Sequence, residues 1–138
     1  MTIKLLGTHK QVGLPLFSSR VSCGLFGISD DFIEDYLSLD QKFIKHKEAS
    51  FFVQAEGDSM GPLIQDKDIL IVDRSVPIFH QGIATFFYNN QAICKKYIKQ
   101  ENQIILRSLN PKYKDIIITE DDQLDLFGVV IGLARHLL

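Results

Sequence analysis

A serine hydroxyl becomes a nucleophile only when a base beside it takes its proton. Ser59 lies in the segment Gly57-Asp58-Ser59-Met60-Gly61-Pro62, directly after an apolar run. A second segment, Ile93-Cys94-Lys95-Lys96-Tyr97, sets two lysines among apolar residues. A neutral lysine can act as the base. Its ordinary pKa of about 10.4 must then fall by roughly three units, a change worth about 4 kcal/mol, and burial against an apolar face is the usual cause. Lys95 alternates with Ile93 and Tyr97, and Lys96 with Cys94 and Ile98. Both faces are apolar, so strand periodicity does not choose between the two lysines. Each segment also has a plainer reading. Gly-Asp-Ser is a common turn or cap, because Ser and Asp bond their own backbone there. Lysine pairs commonly protect edge strands from aggregation.

The elements that would position these residues are mostly strands. From about Ala49 onward the chain runs in short segments rich in Ile, Val, Phe and Tyr, separated by turns. The expected strands are Ser50–Ala55, Ile69–Asp73, Ile83–Tyr88, Ala92–Lys99, Ile104–Ser108, Ile116–Thr119 and Phe127–Ala134. Asn89-Asn90 is a hairpin turn, since Asn tolerates positive φ. This spacing predicts a compact, mostly β, antiparallel domain over residues 46–138. Residues 1–45 read as an N-terminal arm in which Gly, Ser, Pro and charges separate small apolar clusters. Two short helices are expected in it. One is capped by Ser29, opens with Asp30 and Asp31 and carries Phe32, Ile33, Tyr36 and Leu37. The other starts at Asp40 and carries Phe43 and Ile44.

In this order the segments resemble the LexA/UmuD family of self-cleaving Ser-Lys proteases. The resemblance rests on Gly57-Asp58-Ser59-Met60, the Asp66-Lys67-Asp68 turn, Leu70-Ile71-Val72-Asp73 and a hairpin ending in Lys95-Lys96. It extends through Asn110-Pro111-Lys112-Tyr113, Ile116–Thr119 and Leu124–Ile131. In the arm it includes Pro15-Leu16-Phe17-Ser18 and Val21-Ser22-Cys23-Gly24, which are similar to the UmuD branch of the family. The resemblance implies that Ser59 is the nucleophile and Lys95, first of the lysine pair, the general base. It implies self-cleavage between Cys23 and Gly24. Backbone N–H groups of Asp58 and Ser59 are candidates for the oxyanion hole. As partners it implies a homodimer, a RecA filament on single-stranded DNA as trigger, and a UmuC-like translesion polymerase subunit in the response to DNA damage. The loop Gly61–Asp68 departs from the pattern: it is about one residue short, and its Asp-Lys-Asp turn lacks the usual Gly.

Composition narrows the alternatives. A net charge of −2 and a pI near 6.0 argue against a domain whose main task is gripping phosphates, so direct DNA binding is not expected. Cys23 and Cys94 show no metal or disulfide spacing, and His9, His46, His80 and His136 are scattered, so neither a metal nor a cofactor is expected. Asp58 reads as a turn cap and Cys94 as a core thiol. The apolar run Leu126–Ala134 falls far short of the roughly 18 residues of a membrane span, and the expected location is the cytoplasm. A repressor would need a DNA-binding domain ahead of the scissile bond, and a signal peptidase a membrane anchor. A non-catalytic binding module would leave Ser59 and Lys95 structural. Phe127–Leu133 could supply a dimer interface or could simply be a core strand.

Overall fold

The computed structural model describes residues 1–5, 13–17 and 33–138 of the 138-residue chain, with side chains at residues 1–3 and 38–138. The elements are β1 (Thr2–Leu5), β2 (Gly13–Phe17), β3 (Ile33–Ser38), α1 (Leu39–Phe43), a 3-10 turn at Lys47–Ala49, β4 (Ser50–Glu56), β5 (Ile69–Asp73), β6 (Ile83–Tyr88), β7 (Gln91–Gln100), β8 (Gln103–Arg107), β9 (Ile116–Ile117) and β10 (Leu124–Ala134). They fall into two compact units. One joins Met1–Gly7 to His46–Leu138, and the other is Thr8–Lys45.

The smaller unit corrects one expectation. Ile33, Tyr36 and Leu37 are not helical: Ile33–Ser38 is a strand paired antiparallel with β2, Leu37 opposite Leu14 and Tyr36 opposite Pro15. In so short a run the apolar spacing fits either period, and a β-branched and an aromatic residue favour the strand once a partner exists. Residues 29–32 lie outside the described residues. The second expected helix is present as α1, and Ile44 closes it, donating its N–H to the Asp40 carbonyl.

The larger unit is mostly β, as the spacing of turns predicts. Its eight strands run in the order β1-β4-β5-β10-β6-β7-β8-β9, and every pairing is antiparallel. Asn89 and Asn90 turn the β6–β7 hairpin with φ of 46° and 68°. The first residues, read from sequence as the start of the arm, form β1 of this sheet. β1 pairs along β4 and also meets β7, through Thr2 opposite Ile93 and a 2.9 Å bond from the Cys94 N–H to the Met1 carbonyl. The sheet is thereby closed into a barrel, with β8 and β9 continuing outward from β7. Closure satisfies the inner edges of β4 and β7, which otherwise face a gap one strand wide.

Val53, Ala55, Leu70, Val72, Met60, Ile64 and Cys94 fill the barrel core. Phe86, Ile93, Leu106 and Val129 form a second cluster. β10 crosses the barrel between β5 and β6. Gly128 allows that close crossing, since a Cβ there would stand 2.5 Å from Val72. Among the described residues no helix is long and apolar enough to cross a membrane.

The loop between β4 and β5 is tied at both ends by carboxylates. Gly57, at φ of +93°, turns the chain out of β4 and donates its N–H to Asp66. Asp68 is buried and binds Arg135 with both oxygens, at 2.6 and 2.5 Å, and Arg135 also donates to the Leu63 carbonyl. Arg135's hydrogen bonds hold the Asp68 carboxyl below the usual carboxylate range, against the opposing effect of burial. Removing one partner of such a pair strands a buried charge. Arg135→Ala should therefore lower unfolding stability by about 3 kcal/mol near neutral pH in urea denaturation. Because Asp68 has a lowered folded pKa, the difference between the two proteins should shrink as pH falls through that pKa.

Candidate active site

Ser59 stands on the turn that follows β4, and Lys95 lies within β7, strands that do not pair with each other. Two anchors fix the serine. Met60, next to it, and Ile64, in the following turn, are almost fully buried in the barrel core. Asn110, from the segment after β8, binds the turn from outside. Its side-chain amide donates to the Asp58 carbonyl at 3.1 Å, and its own N–H to the Ser59 carbonyl at 2.9 Å. Tyr113 adds a hydroxyl bond to the Asp58 carboxylate. With its carbonyls tied on one side, the turn can keep a fixed orientation of the Ser59 side chain.

Lys95 and Ser59 meet. The lysine Nζ is 3.0 Å from Ser59 Oγ and 2.9 Å from Ser108 Oγ. All three residues are buried, Ser59 at 2% exposure, Lys95 at 6% and Ser108 at 7%. Nζ also lies 5.8 Å from the centre of the Tyr113 ring. Among the described residues, two hydroxyls are its hydrogen-bond partners and no acidic side chain is bonded to it. Burial lowers the Lys95 pKa, and it outweighs the opposing effects of the chain's terminal amine and Cys94. That α-amine, on Met1, donates to Ser59 Oγ, and burial together with nearby Lys95 lowers its pKa to about 6. The structure also separates the lysines that periodicity left equal: Lys95 is buried beside Ser59 and Ser108, while Lys96 is half-buried.

The arrangement has the parts of a serine nucleophile with an amine base: oxygen and nitrogen in hydrogen-bond reach, the amine desolvated, and a third group orienting it. The peptidase S24-like family profile matches residues 15–131. The chain belongs to the peptidase S24-like family. That family contains self-cleaving serine proteases. The LexA repressor of Clostridium kluyveri is 28% identical over 128 residues, 92% of this chain. The chain spans 61% of that repressor's length. The LexA repressor of Geobacter metallireducens is 30% identical over 98% of this chain and 67% of its own length. Protein MucA of Salmonella typhimurium is 25% identical over 94% of this chain and 90% of its own length.

Within this S24-like domain, the structure brings together Ser59, Lys95 and the backbone around Asp58. Cys23 and Gly24 lie outside the described residues. Ser108, Asn110, Tyr113 and Met1 were not singled out as site residues from sequence. Ser108 was detectable in principle. The β7–β8 register pairs Gln100 with Gln103 and Lys96 with Arg107, so one further step sets Ser108 opposite Lys95. Asn110 and Tyr113 belong to a segment recognised only as part of the resemblance, and nothing in their local pattern points at Ser59. Cys94 fills the core, where burial pushes its thiol up to about 12, so it cannot supply a thiolate. His46 bonds the buried Asp73 at 2.6 Å. Burial pushes the Asp73 carboxyl up, but hydrogen bonds from Ser75 and His46 prevail and hold it below the usual range.

A buried amine with a lowered pKa makes the folded state bind fewer protons than the unfolded chain. Between the folded pKa of Lys95 and the unfolded value near 10.4, stability must therefore rise with pH, by at most about 1.4 kcal/mol per pH unit. Lys95→Met keeps the apolar stem and removes this dependence. In urea titrations from pH 6 to pH 10, the wild-type stability should climb relative to Lys95→Met, and the variant should be at least as stable at the acid end.

Proposed function

We propose that this chain is an UmuD-like protein of the SOS response that cleaves itself between Cys23 and Gly24. The observation that carries this reading is the 3.0 Å contact between Lys95 Nζ and Ser59 Oγ in a buried site where, among the described residues, no carboxylate is bonded to the amine. Neutral Lys95 takes the Ser59 proton as Oγ attacks the Cys23 carbonyl carbon. The oxyanion that forms is met by the backbone N–H groups of Asp58 and Ser59, each worth about 3 kcal/mol in such sites. The carbon–nitrogen bond then breaks, and the lysine ammonium returns the proton to the departing Gly24 amine. A water molecule, deprotonated by Lys95, hydrolyses the acyl-serine and restores Ser59. Ser108 holds the amine in line throughout. The small residues at Cys23 and Gly24 allow an extended backbone to approach the serine closely.

In this reading the arm with its cleavage site lies within residues 8–45, and residues 46–138, with β1 added to their sheet, are the protease domain. The chain is its own substrate, so cleavage is a switch that happens once. A RecA filament on single-stranded DNA favours the arm position in which the bond meets Ser59, without adding catalytic groups. The processed form, a homodimer in part through β10, then serves as a subunit with a UmuC-like translesion polymerase. The alignment with MucA over 90% of that protein supports the UmuD-like choice within the family.

Incubation with RecA filaments should convert the chain to residues 24–138, read by intact mass. Ser59→Ala and Lys95→Ala should abolish conversion, and Ser108→Ala, which costs Lys95 one hydrogen bond worth about 1.4 kcal/mol, should slow it roughly tenfold. An intact N-terminus after prolonged incubation, or normal cleavage by Lys95→Ala, defeats the proposal. Because the base must be neutral, the rate without RecA should rise with pH and level off above the folded pKa of Lys95. A rate that falls over that range excludes a lysine base.

A further inference from the structure

The gap between β4 and β7 is one strand wide, and it opens beside the Ser59–Lys95 pair, because Ser59 follows β4 and Lys95 belongs to β7. In this structure β1 fills it. Thr2 to Leu5 pair antiparallel with Glu56 to Val53, Thr2 opposes Ile93, and the Met1 carbonyl accepts from Cys94. The Met1 side chain enters the barrel core with Ile3 packed against it. The Met1 nitrogen bonds Ser59 Oγ. A nitrogen at that oxygen, with its chain running away along β4, occupies the place of the leaving-group side of a cleaved peptide bond.

We propose that this slot binds extended peptide with its amine end at Ser59, and that β1 is a resident competitor which must leave before the cleavage segment Gly24–Ile28 can enter. The inference rests on the self-cleavage reading for the identity of the entering segment. Sequence register supports that identity. With Gly24 at the Met1 position, Phe26 takes the place of Ile3, whose apolar side chain packs against the core, and Leu25 takes that of exposed Thr2. The two segments cannot share the slot, since each needs the same edges of β4 and β7. Self-cleavage is thereby restrained by the chain's own first strand, and anything that draws β1 away speeds it.

A staple tests this without touching the catalytic groups. Thr2 and Glu56 are exposed register partners whose side chains already meet at 3.1 Å. Thr2→Cys with Glu56→Cys, oxidised and verified by peptide mapping, would fix β1 in the slot. Oxidation should slow self-cleavage at least tenfold, and reductant should restore it. A second measurement does not depend on cleavage. A fluorescent synthetic peptide of residues 24–31 is titrated against the same stapled chain carrying Phe26→Asp and Ile28→Asp, which spoil its own copy of the segment. Binding should be at least tenfold weaker oxidised than reduced. Equal affinity in the two states overturns the competitor. Redox-dependent binding with no cleavage in either state keeps the slot and overturns the protease reading instead.

Discussion

The structure depends on keeping an amine out of water with two hydroxyls, among the described residues, as its hydrogen-bond partners. An ammonium group buried without a carboxylate is costly, and the cheapest response is to lose the proton. Lys95 is placed to do so. It comes from the middle of β7, is buried, and finds Ser59 and Ser108 at 3.0 and 2.9 Å. A carboxylate at the same distance would stabilise the ammonium and destroy the base. A more exposed position would leave the lysine solvated and charged. The sheet therefore serves the chemistry by what it withholds, water and counter-charge, as much as by the distance it sets.

Holding the nucleophile takes a different set of interactions. The Ser59 turn leaves β4 through a left-handed glycine, is pinned into the core by Met60 and Ile64, and is bound from outside by Asn110 and Tyr113. Asp66 and Asp68 fix the far end of the same loop, the latter through Arg135 beyond the last strand. The loop lies next to the slot between β4 and β7, which β1 fills. A held loop beside a slot that takes an extended strand is what a site needs if its substrate is an extended segment of its own chain.

Much of this was legible in the sequence, and the failures have physical causes. Strands β4 to β10 follow from alternating apolar runs between turn residues, and Asn89-Asn90 marked its hairpin because few other residues accept positive φ. Ile33–Ser38 was misread because six residues carry too little periodicity to separate helix from strand, and its partner β2 decides the matter. β1 was missed for a related reason: Thr2–Leu5 has a strand's alternation but no turn to mark it, and its partners lie some 50 residues away. Ser59 and the lysine pair stood out by residue type, but alternation could not separate Lys95 from Lys96. That choice came from resemblance. Ser108 and Asn110 were invisible as functional residues, because their value lies in register and in contacts across the fold.

The central claim is that burial lowers the Lys95 pKa, and its titration can be followed directly. In protein carrying 13C at the lysine ε-carbons, the Lys95 signal can be assigned by its loss in Lys95→Met and followed from pH 5 to pH 11. The account predicts a Lys95 signal that titrates below the ordinary lysine value of about 10.4. A Lys95 signal that titrates at or above that value would contradict it.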